Sequence, residues 1–205
     1  MKNQSFLLTL LGITAITGMA AEFKTDFKSD DIPGLKVQRR ALIANGALKF
    51  SNGGSAELEF IAAKPVTIAL RLRITQLLDS KNNPYVGIAL NGKDGGRNLL
   101  MLRPDGVAIS YFYQNNVRDT KSGFIRKYTF IKDEFLNVEY IVGKARVTLS
   151  INGEKIAEGR CVNLFPVTTL SFMTYSLEWE LASIDLREMP EAEAPRAVTG
   201  AEEKK

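Results

Sequence analysis

Phe135-Leu-Asn-Val-Glu-Tyr-Ile-Val-Gly-Lys-Ala-Arg-Val-Thr-Leu-Ser-Ile-Asn-Gly-Glu-Lys-Ile-Ala-Glu158 reads as three short antiparallel strands joined by two tight turns. Val138, Tyr140 and Val142 alternate with Asn137, Glu139 and Ile141 before Gly143-Lys144 turns the chain. Val147, Leu149 and Ile151 then alternate with Thr148 and Ser150 up to Asn152-Gly153. Asn-Gly between alternating runs is a strong hairpin signal, because both turn residues tolerate positive φ.

The same rhythm extends outward in both directions. Val66, Ile68, Leu70, Leu72 and Ile74 alternate with Thr67, Ala69, Arg71 and Arg73, the pattern of a long strand with one buried and one solvated face. Further strands are expected near 47–50, 55–61, 85–91, 97–103, 106–113, 124–131, 167–175 and 180–188. Ser51-Asn52-Gly53-Gly54, Asn82-Asn83-Pro84, Asn91 to Gly96 and Pro104-Asp105-Gly106 supply the turns between them. No amphipathic helix of ordinary length appears, and only the Leu77-Leu78 region allows a helical turn. Eleven or twelve strands without helices call for a two-sheet sandwich or a barrel.

The ends differ from this middle. Lys2, the apolar run Phe6 to Ile16 and the small residues ending Gly18-Met19-Ala20-Ala21 have the layout of a secretory signal peptide. Residues 1–20 are therefore expected to be cleaved, after Ala20 or Ala21, and the chain to be secreted or periplasmic. The apolar run is about half the ~20 residues needed to cross a bilayer, so no membrane anchor is expected. Residues 21–189 form one domain by this reading, and 190–205, dominated by Glu, Ala, Pro, Lys and Gly, read as a disordered charged tail.

Composition narrows the chemistry. Histidine is absent, which removes the usual general base at neutral pH and excludes Ser-His-Asp and Cys-His catalysis within this chain. Cys161 is the only cysteine, so no internal disulfide exists, and its apolar surroundings suit a buried, inert thiol. The formal charge is +4, with basic residues scattered along the chain instead of clustered, which argues against a nucleic-acid partner.

The order of these signals resembles the concanavalin A-like lectin and glucanase superfamily, including laminin-G-like domains. Four pieces carry the resemblance: Phe23-Lys24-Thr25-Asp26-Phe27 with Asp30-Asp31; Ala47 to Phe50 with Ala56 to Phe60; the central three strands, whose Phe135 stands where such domains often carry tryptophan; and Ile184-Asp185-Leu186-Arg187. The resemblance implies an all-β, two-sheet antiparallel jelly-roll sandwich, with glycan binding on one sheet face or its rim loops. Its glucanases carry Glu-x-Asp-x-x-Glu on one strand, and this chain has no such pattern. The nearest approach is Glu57-Leu58-Glu59, whose acids share a strand face with Cα atoms about 6.5–7 Å apart, a spacing that admits an acid pair for glycoside hydrolysis. Ordinary solvated alternation explains them equally.

The expected function is a non-catalytic carbohydrate-binding module whose partner is a glycan or polysaccharide. A glycoside hydrolase or lyase using Glu57 and Glu59, and a structural or protein-interaction domain binding envelope proteins, are the alternatives. Ligand-binding candidates are aromatic rings that can stack on a pyranose, Trp179, Tyr113 and Tyr111, and polar groups at strand faces and turns, Arg71, Arg73, Arg97 and Asn98. Strict alternation turns Trp179 outward, and a bulge before Leu181 would turn it inward. No cofactor is expected apart from a possible structural calcium, which Asp26, Asp30, Asp31 and Asp185 would hold if the first and last strands pair. Gathering of Trp179, Tyr113, Arg71 and Arg73 on one surface favours sugar binding; dispersal favours the interaction role.

Overall fold

A computed structural model describes residues 21–113 and 117–195. The leader at 1–20, the loop Gln114-Asn115-Asn116 and the tail from 196 to 205 lie outside the described residues. Among the described residues fifteen strands form: β1 (Glu22–Thr25), β2 (Leu35–Gln38), β3 (Ala41–Ala44), β4 (Ala47–Phe50), β5 (Ser55–Ala62), β6 (Val66–Leu77), β7 (Tyr85–Gly92) and β8 (Arg97–Arg103), followed by β9 (Gly106–Phe112), β10 (Arg118–Lys127), β11 (Leu136–Val142), β12 (Arg146–Ile151), β13 (Glu154–Arg160), β14 (Val167–Tyr175) and β15 (Leu177–Glu188). The helical turn allowed at Leu77-Leu78 falls instead at Ser80–Asn82, capped by the Asp79 carboxylate accepting from the Lys81 amide.

Two antiparallel sheets face each other. One runs β13-β12-β11-β6-β15-β4-β3, with β1 added along β15; the other runs β10-β9-β8-β7-β14-β5-β2. The three strands quoted above lie at the end of the first sheet, with Asn152 at φ 52° and Gly153 at φ 82° making the tight turn. Ile68, Leu70 and Leu72 of β6 meet Tyr140, Val138 and Leu136 of β11 in register, and all six point inward. Val86, Ile88 and Leu90 of β7, Leu58 of β5 and Phe172 of β14 answer them from the second sheet. The chain is an all-β two-sheet antiparallel sandwich of the jelly-roll kind.

The strands β2 and β3, each four residues long, were not expected, and β1 is the first strand whose pairing with the last the calcium expectation assumed. The strand expected at 124–131 is shifted to Arg118–Lys127, with an irregularity in its pairing to β9 between Asp119 and Phe124. Of the segment expected to be a disordered tail, 190–195 are described. They dock on the turn between β11 and β12: Glu191 pairs with Lys144 at 2.9 Å, Ala194 is buried, and the Pro195 carbonyl lies beside Gly143. Among the described residues, no helix is long and apolar enough to cross a membrane.

Candidate functional site

Alternation and sheet order decide which side chains can meet a ligand, since residues i and i+2 on a strand share one face. The eight-stranded sheet turns Arg71 and Arg73 of β6 outward, as expected, and both guanidinium groups lie over the Phe135 ring, at 4.0 and 4.7 Å from its centroid. Arg73 also pairs with Glu180 at 2.7 Å, and Lys49 reaches the other oxygen of that carboxylate at 2.9 Å. Asp185 faces Lys24 at 3.5 Å and Arg187 at 3.2 Å. This face is laced with matched charges.

The outer face of the seven-stranded sheet is different. Register lines up Glu59, Thr169, Asn91, Arg97 and Phe112 in one row, Glu57, Ser171, Ala89, Leu99 and Ser110 in the next, and Met173, Gly87, Met101 and Ala108 in a third. A fourth row begins Tyr175 and Tyr85, whose rings pair with centroids 6.0 Å apart. Ala89, Ala108, Ser110 and Leu99 point away from the sandwich interior and are nevertheless buried, and none of them belongs to the main core. Their larger neighbours cover them: Met173 and Tyr85 close over Gly87 so tightly that an added Cβ would meet Met173 Cγ at 2.5 Å.

Polar groups are tied together across this face. The Asn91 amide donates to Thr169 Oγ1 and Ser171 Oγ, each at 2.9 Å, and Ser171 Oγ donates to Glu57 at 3.5 Å. The Arg97 guanidinium stacks on Phe112 at 4.6 Å. Beside them a cleft of about 320 Å³ is lined by Asp94, Gly96, Phe112, Tyr113 and Leu164. At the opposite end, about 270 Å³ of open cleft is lined by Arg103, Asp105 and Asn83. From Asn91 to Tyr85 is six residues of strand, about 20 Å.

Several sequence-named residues do not reach either surface. Trp179 is 1% exposed and stacks on Phe50, so its ring is unavailable to a sugar. Irregular pairing on both sides of it, at Glu178/Trp179 and at Leu181/Ser183, keeps Trp179 and Leu181 inward along with Ile184 and Leu186. Tyr111 and Asn98 are also fully buried, because they stand on the inward positions of β9 and β8. There Tyr140 donates to Asn98 Oδ1 at 2.8 Å, and burial pushes the Tyr111 and Tyr140 hydroxyls far above their usual pKa. Tyr113 is 49% exposed just beyond β9, near Arg97 and on the opposite sheet from Arg71 and Arg73. The named set is thus dispersed.

The carboxylates are likewise apart. β1 does pair with β15, placing Lys24 beside Asp185, but the four aspartates do not gather. Asp26 pairs with Lys28 at 2.6 Å, and no group of three or more Asp, Glu or Cys residues suited to a metal forms among the described residues. Glu57 and Glu59 share the outer face of β5 as expected. Lys36 hydrogen-bonds Glu59 and holds its carboxyl below the usual value, opposite to the raised pKa a glycosidic general acid needs. β5 is one strand from the sheet edge, and the outer positions of the four strands β14, β7, β8 and β9 carry no carboxylate.

Residues of this face that were not among the ligand-binding candidates from the sequence are Asn91, Phe112, Tyr85, Tyr175 and Ser171; alternation did set Phe112 on the opposite face of β9 from Tyr111. The inward run Val86, Ile88, Leu90 already turned Tyr85 and Asn91 outward; what was missing was which strands lie side by side.

No protein-family model and no curated protein matches the sequence. Solved structures do match in shape. An apo Crh5 transglycosylase superposes with a TM-score of 0.64 over 84% of this chain and 86% of that one, at 12% identity. A Bacillus licheniformis beta-glucanase gives 0.64 over 85% and 100%, at 8% identity. The Emp47p carbohydrate recognition domain gives 0.59 over 82% and 95%, at 11% identity.

Proposed function

We propose that this chain is a non-catalytic carbohydrate-binding module whose ligand lies along the outer face of the seven-stranded sheet. The observation that carries the reading is a recessed surface, free of carboxylates on its four central strands, with Tyr85 and Tyr175 at one end and Phe112, Tyr113 and a hydrogen-bonded Asn91 at the other. Aromatic rings stack on the apolar faces of pyranoses, and fixed amide and hydroxyl groups orient their hydroxyls. The likeness to sugar-acting and sugar-binding folds is compatible with this reading. Export through the leader at 1–20, to the periplasm or the exterior, belongs to the same proposal.

Affinity electrophoresis through gels cast with a panel of polysaccharides tests it. Retarded migration on at least one, weakened in Phe112→Ala and Tyr175→Ala and unchanged in Glu59→Gln, is the expected result. No retardation on any polysaccharide overturns it. A second reading, an envelope protein-interaction domain, is favoured by the dispersal of Trp179, Tyr113, Arg71 and Arg73 and by the exposed apolar residues Leu42 and Ile61. Capture of a defined envelope partner by a chain that retains no glycan would decide for it.

A further inference from the structure

The two outer faces treat their cations differently. On the eight-stranded sheet, Lys49 and Arg73 share Glu180, Lys24 and Arg187 share Asp185, and Arg146 and Lys155 share Glu158. Arg71 there has the Phe135 ring beneath it. Such matched charges are the ordinary state of a solvated surface.

On the seven-stranded sheet, register brings four cations to one strip although they are scattered in the sequence. Arg97 and Arg118 flank Phe112 from either side, and Arg103 and Lys127 flank Gly106 in the same way. Arg103, Arg118 and Lys127 make no ion pair among the described residues, and Arg103 Nε is buried without a hydrogen-bond partner. Phe112 and Gly106 are six residues apart on β9, so the two cation pairs stand about 20 Å from each other along the strand. Asp119, next to Arg118 on β10, is nearly buried on the inward side beside Tyr111, Asp94 and Asp105 line the clefts at the strand ends, and on the far side Glu59 is taken by Lys36 while Glu57 accepts from Ser171. The outer end of the half-buried Arg103 guanidinium reaches Met101 Sδ at 3.8 Å, a weak acceptor that an anion would replace with a charge-assisted hydrogen bond.

Resting on the glycan-binding reading above, we infer that the ligand of this face is a polyanionic glycan, with carboxylate or sulfate groups spaced along its chain to meet both cation pairs. Guanidinium forks bind carboxylate and sulfate through two parallel hydrogen bonds, while Phe112, Tyr85 and Tyr175 take the sugar faces between them. The opposite sheet has a cleft of about 420 Å³, but there Glu139 and Asp185 stand beside Lys24 and Arg71, so its charges are balanced within the protein.

Pairs of polysaccharides with one backbone test this directly: polygalacturonate against its methyl ester, and dextran sulfate against dextran. The wild-type chain is expected to be retained by the charged member of at least one pair and not by its neutral partner. Whichever member is retained identifies the anion. Arg118→Gln/Lys127→Gln, both at exposed positions, is expected to weaken binding about tenfold or more. The control Arg71→Gln/Lys28→Gln removes the same charge from elsewhere and is expected to change binding less than twofold. Equal retention of neutral and charged members overturns this inference and leaves glycan binding standing. Retention of neither overturns both. Equal weakening in the two double variants, or tighter binding to single-stranded DNA than to any glycan, also overturns the inference.

Discussion

Trp179 stacks on Phe50 with 4.3 Å between ring centroids and 5° between ring planes, and the two residues face each other directly across β15 and β4. Phe172 closes on both rings from the other sheet, with centroids 6.3 Å from Trp179 and 6.4 Å from Phe50. The single tryptophan is thus the bolt between the sheets. Trp179→Ala is expected to cost about 3–5 kcal/mol in urea unfolding, and Trp179→Phe less, since a ring remains against Phe50. Glycan retention per folded molecule stays at the wild-type level in both; a specific loss of retention in a fully folded Trp179→Phe would return the ring to the binding surface.

The sequence left Trp179 two positions, outward by strict alternation and inward with a bulge before Leu181, and the irregular pairing of β15 takes the inward one. Period-two alternation is carried by every local pair, so the sandwich, the turn at Asn152-Gly153 and the outward Arg71 and Arg73 could all be read directly. A bulge leaves no comparable trace: the irregular pairing around Ala182 changes the parity of the strand, and Ala182 itself suits either face. Tyr111 and Asn98 failed for a different reason. Both are polar enough to suggest a surface, and the hydroxyl that Asn98 accepts from belongs to Tyr140 on β11 of the other sheet, a contact of long sequence separation. The candidate site was illegible for the same reason, because its rows unite β5, β14, β7, β8 and β9 out of sequence order.

Glu180 gives a pH signature. Burial pushes its carboxyl up, but hydrogen bonds from Lys49 and Arg73 outweigh that and hold it below the usual 4.5. A depressed folded-state pKa means the contribution is complete above the unfolded value and disappears as pH falls through the folded one. Urea midpoints of the wild type are expected to fall with pH below about 4.5 more steeply than those of Glu180→Gln. Parallel profiles would mean the Lys49 and Arg73 contacts contribute nothing to folding.

Cys161 should resist modification. Desolvation pushes its thiol up to about 12, and Sγ donates to the Gly143 carbonyl at 3.3 Å. The thiolate is the nucleophile, so little is present at pH 8. Reaction with an aromatic disulfide reagent is expected to be slow in buffer and to reach the rate of a free thiol in urea. Rapid labelling of the folded chain would contradict this.

Tyr175 and Phe112 stand at opposite ends of the proposed glycan surface, so they separate ligand length from ligand identity. If both rings stack on sugars, Tyr175→Ala weakens long chains about tenfold and leaves the shortest oligosaccharides bound at the Phe112 end untouched. Isothermal titration with oligosaccharides of increasing length reads this out. Length-independent losses in Tyr175→Ala would place the whole ligand at the Tyr85 and Tyr175 end.

Gly87 and Met173 form the tightest contact of that surface, and a pair of substitutions tests how it is built. They face each other across β7 and β14, and a Cβ on Gly87 would lie 2.5 Å from Met173 Cγ and 3.1 Å from the Tyr85 ring. Gly87→Ala therefore has to displace the Met173 side chain, and overpacking of this kind costs about 1–3 kcal/mol. Met173→Ala removes the tightest contact, Cγ at 2.5 Å, together with Sδ at 3.2 Å, and leaves the Tyr85 ring at 3.1 Å. The double variant is thus expected to unfold at higher urea than Gly87→Ala alone, a coupling of about 0.5–3 kcal/mol between residues in contact. If the two losses simply add, Met173 does not lie over Gly87 in solution, and the recessed surface on which the glycan reading rests would have to be redrawn around a mobile methionine.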